Sequence, residues 1–269
     1  MTLDALLHIA LEAVERAASI VRQRRPGVIV EKADRDLVSE TDLSVERAVR
    51  AFLREQTPDI GFVGEEEGIG GGSNGSDVVW TLDPIDGTSN YVRGLPLCAI
   101  SLALVDGASV VLGVIDLPFL DSRYRAVLGH GAYLGETRLR TSGTCDLRDA
   151  IVAVGDYATG NDAGVKNLDR LALTQELALR VQRIRMLGTA ALDLAWLAEG
   201  KLDAAVMLSN KPWDTLAGVL LAREAGAFVY GRSGENHDAD STATVACANE
   251  PLATEIVALI TSLDLPSTT

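Results

Sequence analysis

Trp80-Thr81-Leu82-Asp83-Pro84-Ile85-Asp86-Gly87-Thr88-Ser89-Asn90-Tyr91 is the stretch on which the reading of this chain turns. Residues 78–82 form a short apolar β-type run, and two aspartates follow it three positions apart with a proline between them. In a tight turn such a pair aims both carboxylates at one point. Gly87 lets backbone approach a ligand closely, and Thr88 adds a hydroxyl beside backbone N–H groups. Oxygen donors without His or Cys suit hard divalent cations, Mg²⁺ or Mn²⁺, and point away from zinc.

Working outward, further carboxylates stand where apolar runs end or helices begin. Glu65 follows residues 60–63, Asp214 follows Trp213 at a helix start, and Asp42 lies three residues before Val45, on the inward side of another helix. Each also has a plainer local explanation. Asp42 and Asp214 can cap helices, Asp83 before Pro84 can form a turn, and Glu65-Glu66-Glu67 can be a solvated charge run.

A helical stripe from Leu3 to Val21 is stopped by Pro26; a strand at 28–31, a polar turn at 32–36 and a helix from about 41 follow. A glycine-serine loop spans 68–76. Runs 99–105 and 110–115 around Asp106-Gly107 read as a hairpin, with further strands at 123–128 and 131–134. From about Thr141 strands (151–154, 183–186, 204–208, 227–230) alternate with helices (167–179, 190–198, 213–224, 251–260). The expectation is one body of two interlocked halves. Residues 1–140 form an α+β half with most of the carboxylates, and 141–269 an α/β half with Asp214.

The 269 residues carry 24 Lys+Arg against 38 Asp+Glu, a net charge of −14, which argues against nucleic-acid backbones and anionic membranes as partners. With 47% apolar and 23% charged residues the chain is globular. Acidic residues interrupt 1–20, and Asp106-Gly107 breaks the apolar stretch 98–117, so neither a signal peptide nor a span is expected and the location reads as cytoplasmic. Cys98, Cys145 and Cys247 form no disulfide or zinc pattern and read as buried small residues; His8, His130 and His237 belong to no catalytic constellation. Gly70, Gly72 and Gly75 spell G-x-G-x-x-G but lead into a strand, so no dinucleotide site is expected. Asn74-Gly75-Ser76 spells a glycosylation acceptor in a chain with nothing that targets secretion.

The central stretch, with Gly64-Glu65-Glu66, Asp36 to Asp42, Gly188-Thr189-Ala190-Ala191, Trp213-Asp214-Thr215-Leu216-Ala217-Gly218 and Glu224-Ala225-Gly226, resembles the inositol monophosphatase-like family of Mg²⁺-dependent, lithium-sensitive sugar-phosphate phosphatases. The resemblance covers nearly the whole chain. It implies a layered αβαβα sandwich, shared with fructose-1,6-bisphosphatase, and a homodimer. It also implies two to three Mg²⁺ held by Glu65, Asp83, the Ile85 carbonyl, Asp86 and Asp214, with Thr88, Glu65 and Asp42 activating the attacking water. The N–H groups of Gly87 and Thr88 would hold the phosphate, with Asp86 facing the substrate and Gly188, Thr189 and Ala190 touching the sugar or polyol. Lys32 is a possible phosphate attractor or an ordinary surface lysine. Counting Asp42, five carboxylates are close to balanced by two or three divalent ions.

One departure bears on the substrate. Inositol-selective members carry a glutamate seven residues before the Trp-Asp aspartate; here an ungapped count places Met207, with Ser209, Asn210 or Lys211 as nearby substitutes. Fructose-1,6-bisphosphate, histidinol phosphate and 3′-phosphoadenosine nucleotides therefore stand beside inositol phosphates. Phosphatases that form an aspartyl-phosphate carry D-x-D-G-T, whereas here the aspartates are three apart with Pro84 between them. A non-catalytic, metal-bound regulatory protein is the alternative of another class, and no expected ligand is missing to favour it.

Overall fold

Helix α1 (Leu3–Gln23) follows the expected stripe, with Leu6, Ala10, Ala13, Val14, Ala17 and Val21 buried and Thr2 capping its first turn. Helix α2 (Glu40–Gln56) starts at Ser39, whose side chain and that of Asp42 form a reciprocal capping box. The computed structural model describes residues 1–70 and 77–263. Most of the glycine-serine loop, including Gly72, Gly75 and the Asn74-Gly75-Ser76 acceptor, lies outside the described residues.

Between the two helices, the polar turn expected at 32–36 is shorter. Strands β1 (Ile29–Ala33) and β2 (Asp36–Ser39) pair antiparallel, leaving Asp34 and a left-handed Arg35 (φ 61°) at the tip. Every residue of β1 is exposed, so the alternation that marks a half-buried strand is missing from its sequence.

An eight-stranded sheet comprises β3 (Gly61–Gly64), β4 (Gly68–Ile69), β5 (Val78–Asp86), β6 (Ala99–Asp106), β7 (Ser109–Leu117), β8 (Ser122–Val127), β9 (Gly131–Leu134) and β10 (Thr137–Arg138), in the order β10-β9-β8-β7-β6-β5-β3-β4. The turn expected at Asp83 is instead strand: β5 continues to Asp86. Its ladder with β6 passes from Asp83↔Ser101 to Asp86↔Ala99, three steps against two, so one extra residue is accommodated as a bulge. Pro84 sits inside that bulge, where its missing N–H breaks no regular ladder bond. The short helix α3 (Thr88–Val92) follows, turned off the strand by Gly87 at φ 89°.

The second sheet holds β11 (Ile151–Val154), β12 (Arg183–Arg185), β13 (Ala204–Met207), β14 (Phe228–Tyr230) and β15 (Thr244–Cys247), ordered β12-β11-β13-β15-β14. β11, β12 and β13 are parallel, but β15 inserts antiparallel beside β13 and makes the sheet mixed. The alternating strand–helix reading had no place for β15, which has no helix between it and β14.

Helices α4 (Ala163–Arg180), α5 (Ala190–Ala198), α6 (Pro212–Glu224) and α7 (Glu250–Ser262) complete an αβαβα sandwich. α1 and α2 cover one face of the large sheet; α5 and α6 fill the space between the two sheets, and α4 and α7 cover the far face of the small one. Because α6 lies between layers, every residue from Thr215 to Ala222 is buried, and the helix is apolar all round. Close approach is built in: a Cβ on Gly218 would lie 2.6 Å from Leu194 of α5, and one on Gly113 of β7 would lie 2.8 Å from the Ala217 carbonyl. Cys98 and Cys247 are buried, whereas Cys145 is exposed in the connection before β11, which corrects the expectation of three buried thiols. Among the described residues no helix is long and apolar enough to cross a membrane.

Candidate active site

Asp83 and Glu65 meet because their strands run side by side. β3 and β5 are parallel with Gly64 opposite Leu82, and the Glu65 N–H donates to the Leu82 carbonyl at 3.2 Å. Asp83 is 2% exposed, and its Oδ1 accepts the Ile85 N–H at 3.0 Å. Ser101, opposite Asp83 in the ladder, donates its hydroxyl to the Trp213 carbonyl at 3.1 Å. That bond ties the start of α6, and with it Asp214, to the same strand pair. Asp86, at the end of β5, joins the large sheet to the start of α5: its Oδ2 accepts Thr189 Oγ1 at 2.6 Å and the Ala191 N–H at 2.7 Å.

Burial and neighbouring carboxylate charge act together on Asp83, Asp86 and Asp214. Burial, then the charges of Glu65, Asp86 and Asp214, hold Asp83 well above the usual carboxylate range. Burial and the Asp214 charge push Asp86 up to about 8, against the pull of its bonds from Thr189 and Ala191. Burial raises Asp214 to about 6, opposed first by the Lys211 N–H that donates to its Oδ2 at 2.8 Å. Several buried carboxylates that destabilise one another's charged forms need cations between them.

Lys32, from β1, supplies one of them. Its Nζ lies 2.8 Å from Glu65 Oε1 and 3.0 Å from Glu66 Oε1, and these contacts outweigh burial to hold the ammonium above its ordinary range. The run Glu65-Glu66-Glu67 is therefore not a freely solvated face. Burial, then the Glu65 charge, pushes Glu66 up to about 7. Beneath the run lies Glu46 of α2, fully buried. Its carboxylate accepts the N–H groups of Glu66 (2.8 Å) and Glu67 (3.0 Å) and the Arg50 guanidinium (2.6 Å).

Thr88 stands on the other side of the bulge. Its Oγ1 is 3.1 Å from both Asp42 Oδ1 and the Ile85 carbonyl oxygen. Asp42 Oδ2 accepts the N–H and hydroxyl of Ser39, while burial lifts its carboxyl above the ordinary value against those bonds. The capping and site readings thus hold together. Asp42 and Asp214 each use Oδ2 to fix a helix start, and at Asp42 the other oxygen meets Thr88.

Gly188, Thr189 and Ala190 open α5. Asn90 Nδ2 donates to the carbonyls of Leu187 (2.7 Å) and Leu97 (2.8 Å), holding this turn against Gly87. A cavity of about 180 Å³ lies between Asp86, Asp214, the Gly188 turn and Met207. Ser209 and Asn210 also line it, and Lys211 does not. Sequence reasoning missed Glu46, Asp156 and Asp193, the last two being cavity-lining residues. Asp156 stands two residues past β11, so the strand-end signal that found Glu65 points to it as well. Asp193 is a lone carboxylate inside an apolar helix, and Glu46 looks like any charged helical position.

A model of the inositol monophosphatase family matches residues 2–264. An inositol-1-monophosphatase of Mesorhizobium japonicum is 34% identical over 250 residues, 91% of this chain and 92% of its own. A Thermotoga maritima protein named fructose-1,6-bisphosphatase/inositol-1-monophosphatase is 34% identical over 207 residues, 77% of this chain and 76% of its own. The solved structure of extragenic suppressor protein suhB from Bartonella henselae superposes with a TM-score of 0.88 at 30% identity, covering 95% of this chain and 98% of that one. Agreement in both sequence and backbone over nearly the whole length makes this chain a member of the inositol monophosphatase family, and with it a phosphomonoester hydrolase.

Proposed function

We propose that the chain hydrolyses the monophosphate of a small sugar or polyol at the Glu65–Asp83–Asp86–Asp214 centre, with Mg²⁺ as its metal. The observation that carries this reading is the mutual repulsion at Asp83, Asp86 and Asp214, which burial and neighbouring carboxylate charge hold above their ordinary range. An all-oxygen donor set of that charge fits a hard divalent cation, and Glu65, Asp83, the Ile85 carbonyl, Asp86 and Asp214 would hold two or three. Bound there, Mg²⁺ would supply Lewis acidity toward the phosphate oxygens and lower the pKa of water.

The chain's own groups do the rest. Thr88 Oγ1 orients a water for in-line attack on phosphorus and takes its proton, its own hydroxyl proton passing to Asp42 Oδ1 at 3.1 Å. The amides of Gly87, left-handed at φ 89°, and of Thr88 hold phosphate oxygens. As the water oxygen bonds to phosphorus the ester P–O bond breaks, the departing alkoxide takes a proton from solvent water, Gly188, Thr189 and Ala190 contact the resulting alcohol, and Lys32 stays with Glu65 and Glu66 to balance their charge. No phosphoenzyme forms. A homodimer, inhibition by Li⁺ and a cytoplasmic location complete the proposal, on the resemblance of the motifs quoted above.

The test is phosphate release from a panel of monoesters, with Mg²⁺, after EDTA, and with Li⁺. Release that needs Mg²⁺ is expected, and a rate unmoved by EDTA removes the metal reading. Fructose-1,6-bisphosphate belongs on the panel because the Thermotoga relative is named for it. Acid quenching should trap no phosphoprotein.

A further inference from the structure

A second cavity, of about 290 Å³, runs along one face of α6, where Leu216, Val219, Leu220 and Arg223 recur at helical spacing. The β6–β7 turn and residues 237–239 close it. None of its described lining residues belongs to the proposed metal centre or to the cavity beside Asp86. About 150 Å³ between apolar side chains suffices for benzene, so this space takes a body of one or two rings.

His237 is 4% exposed, and its Nδ1 is buried with no hydrogen-bond partner among the described residues. The bonds around the ring fix its tautomer. Asn210 Nδ2 donates to the Ser241 carbonyl, so Asn210 Oδ1 faces Thr244 and takes its hydroxyl proton at 3.0 Å. Thr244 Oγ1 then accepts from His237 Nε2 at 2.9 Å, which leaves Nδ1 a bare acceptor. Burial, then the Arg223 charge, lowers His237 to about 4, so the ring is neutral near pH 7. Arg223 Nη2 donates to the His237 carbonyl at 2.6 Å, and among the described residues the guanidinium is in no ion pair. Burial outweighs the charge of Asp238 and holds Arg223 below its ordinary range. Asp238 itself is exposed, with Oδ1 taken by the Asp240 N–H and the Ser241 hydroxyl.

We propose that this cavity binds a small aromatic carboxylate whose ring carries a hydroxyl or N–H donor. The ring lies against Leu216, Val219 and Leu220, its donor meets His237 Nδ1, and the carboxylate pairs with Arg223. A ring without the donor leaves Nδ1 buried and unsatisfied, and an amine in place of the carboxylate leaves Arg223 without a counter-charge. The occupant is an effector and not a substrate, since it lies apart from the metal centre. Thr244 and Asn210 join His237 to the wall of the cavity beside Asp86, so occupant and centre share one hydrogen-bonded chain.

Isothermal titration with Mg²⁺ present, comparing 4-hydroxyphenylacetate, phenylacetate and tyramine, tests it. The hydroxy acid should bind about tenfold or more tightly than either of the others. Arg223→Gln should weaken its binding by about tenfold. His237→Gln keeps a donor for Thr244 and removes Nδ1, so in that variant the two acids should bind alike. Arg223 is exposed, so its variant carries the test if His237→Gln fails to fold. Repeating the titration in EDTA should leave the affinity of the hydroxy acid unchanged. Binding that vanishes with the metal places the acid at the carboxylate centre and overturns the proposal. So do no binding of the hydroxy acid at millimolar concentration, tyramine binding as tightly as the acid, an affinity unmoved by Arg223→Gln, or a hydroxyl preference that survives His237→Gln.

Discussion

Asp83, Ile85, Asp86 and Thr88 lie within six consecutive residues, and Glu65 joins them from the adjacent parallel strand. In the neighbouring cavity, Asp156, Asp193, Met207 and Asn210 come from the ends of β11 and β13 and from α5, with more than fifty residues between first and last. Carboxylates at and beside the first group have bonded partners: Asp83 accepts the Ile85 N–H, Asp86 accepts from Thr189 and Ala191 of α5, and Asp214, from α6, accepts the Lys211 N–H. In the second group, Asp193 keeps an oxygen with no partner among the described residues. A centre that must hold charge in one geometry is built on a strand and its bulge. The cavity wall is assembled from a strand end, a helix and the loops that follow β11 and β13.

The largest break in this contrast is expected at Asp86, which touches both regions. Asp86→Asn removes a charge and little volume, so kcat should fall by about 10³-fold while circular dichroism and the melting transition stay near those of the parent. Turnover close to the parent's would refute the assignment of the centre. Glu46→Ala comes next. Removing the buried carboxylate strands Arg50 and two loop amides, and the cost should be on the order of 3 kcal/mol by denaturant unfolding, with activity falling alongside. A loss within experimental error would show that the Glu65–Glu67 loop does not depend on Glu46.

His237 sharpens the comparison by pH. It is 4% exposed, and burial followed by the Arg223 charge lowers it from 6.5 to about 4. Its ring Nε2 lies 2.9 Å from Thr244 Oγ1, which donates to Asn210 of the cavity wall. The unfolded chain binds this proton first. The stabilisation is therefore complete above pH 6.5 and is lost as pH falls toward 4, on the order of 2–3 kcal/mol in all. Unfolding followed at pH 7 and pH 4 should show that loss reduced in His237→Gln, and parallel profiles for the two proteins would count against it. The smallest effect is expected at Asp193→Asn. Because the charged form lacks a partner, stability at neutral pH should hold or rise by about 1 kcal/mol. A clear destabilisation would mean that Asp193 serves the fold rather than the cavity.

Much of the first region was legible in the sequence because its parts are contiguous. The strand before Asp83, the proline, the glycine and the threonine fall in one window, and Glu65 follows an apolar run of its own. Even there the local conformation differs from what the residues suggest: Asp83-Pro84 signals a turn, yet β5 continues through a bulge, since the ladder that holds it belongs to β6. β1 and β15 were harder for related reasons. One is exposed at every residue, and the other acquires its direction and neighbours only from β13 and β14.

The motifs of the chain were enough for the family resemblance and for an oxygen-rich donor set, because those are read within single segments, and the layers were expected only through that resemblance. Tertiary structure alone decided that Asp86 bonds to α5 from the opposite half and that Glu46 carries the acidic loop. It also decided that Lys32 lies against Glu65 and Glu66, and that Asp156 and Asp193 share a wall. Each of these joins residues that are distant along the chain, and their energies depend on burial and on the charges facing them, neither of which exists until the layers close.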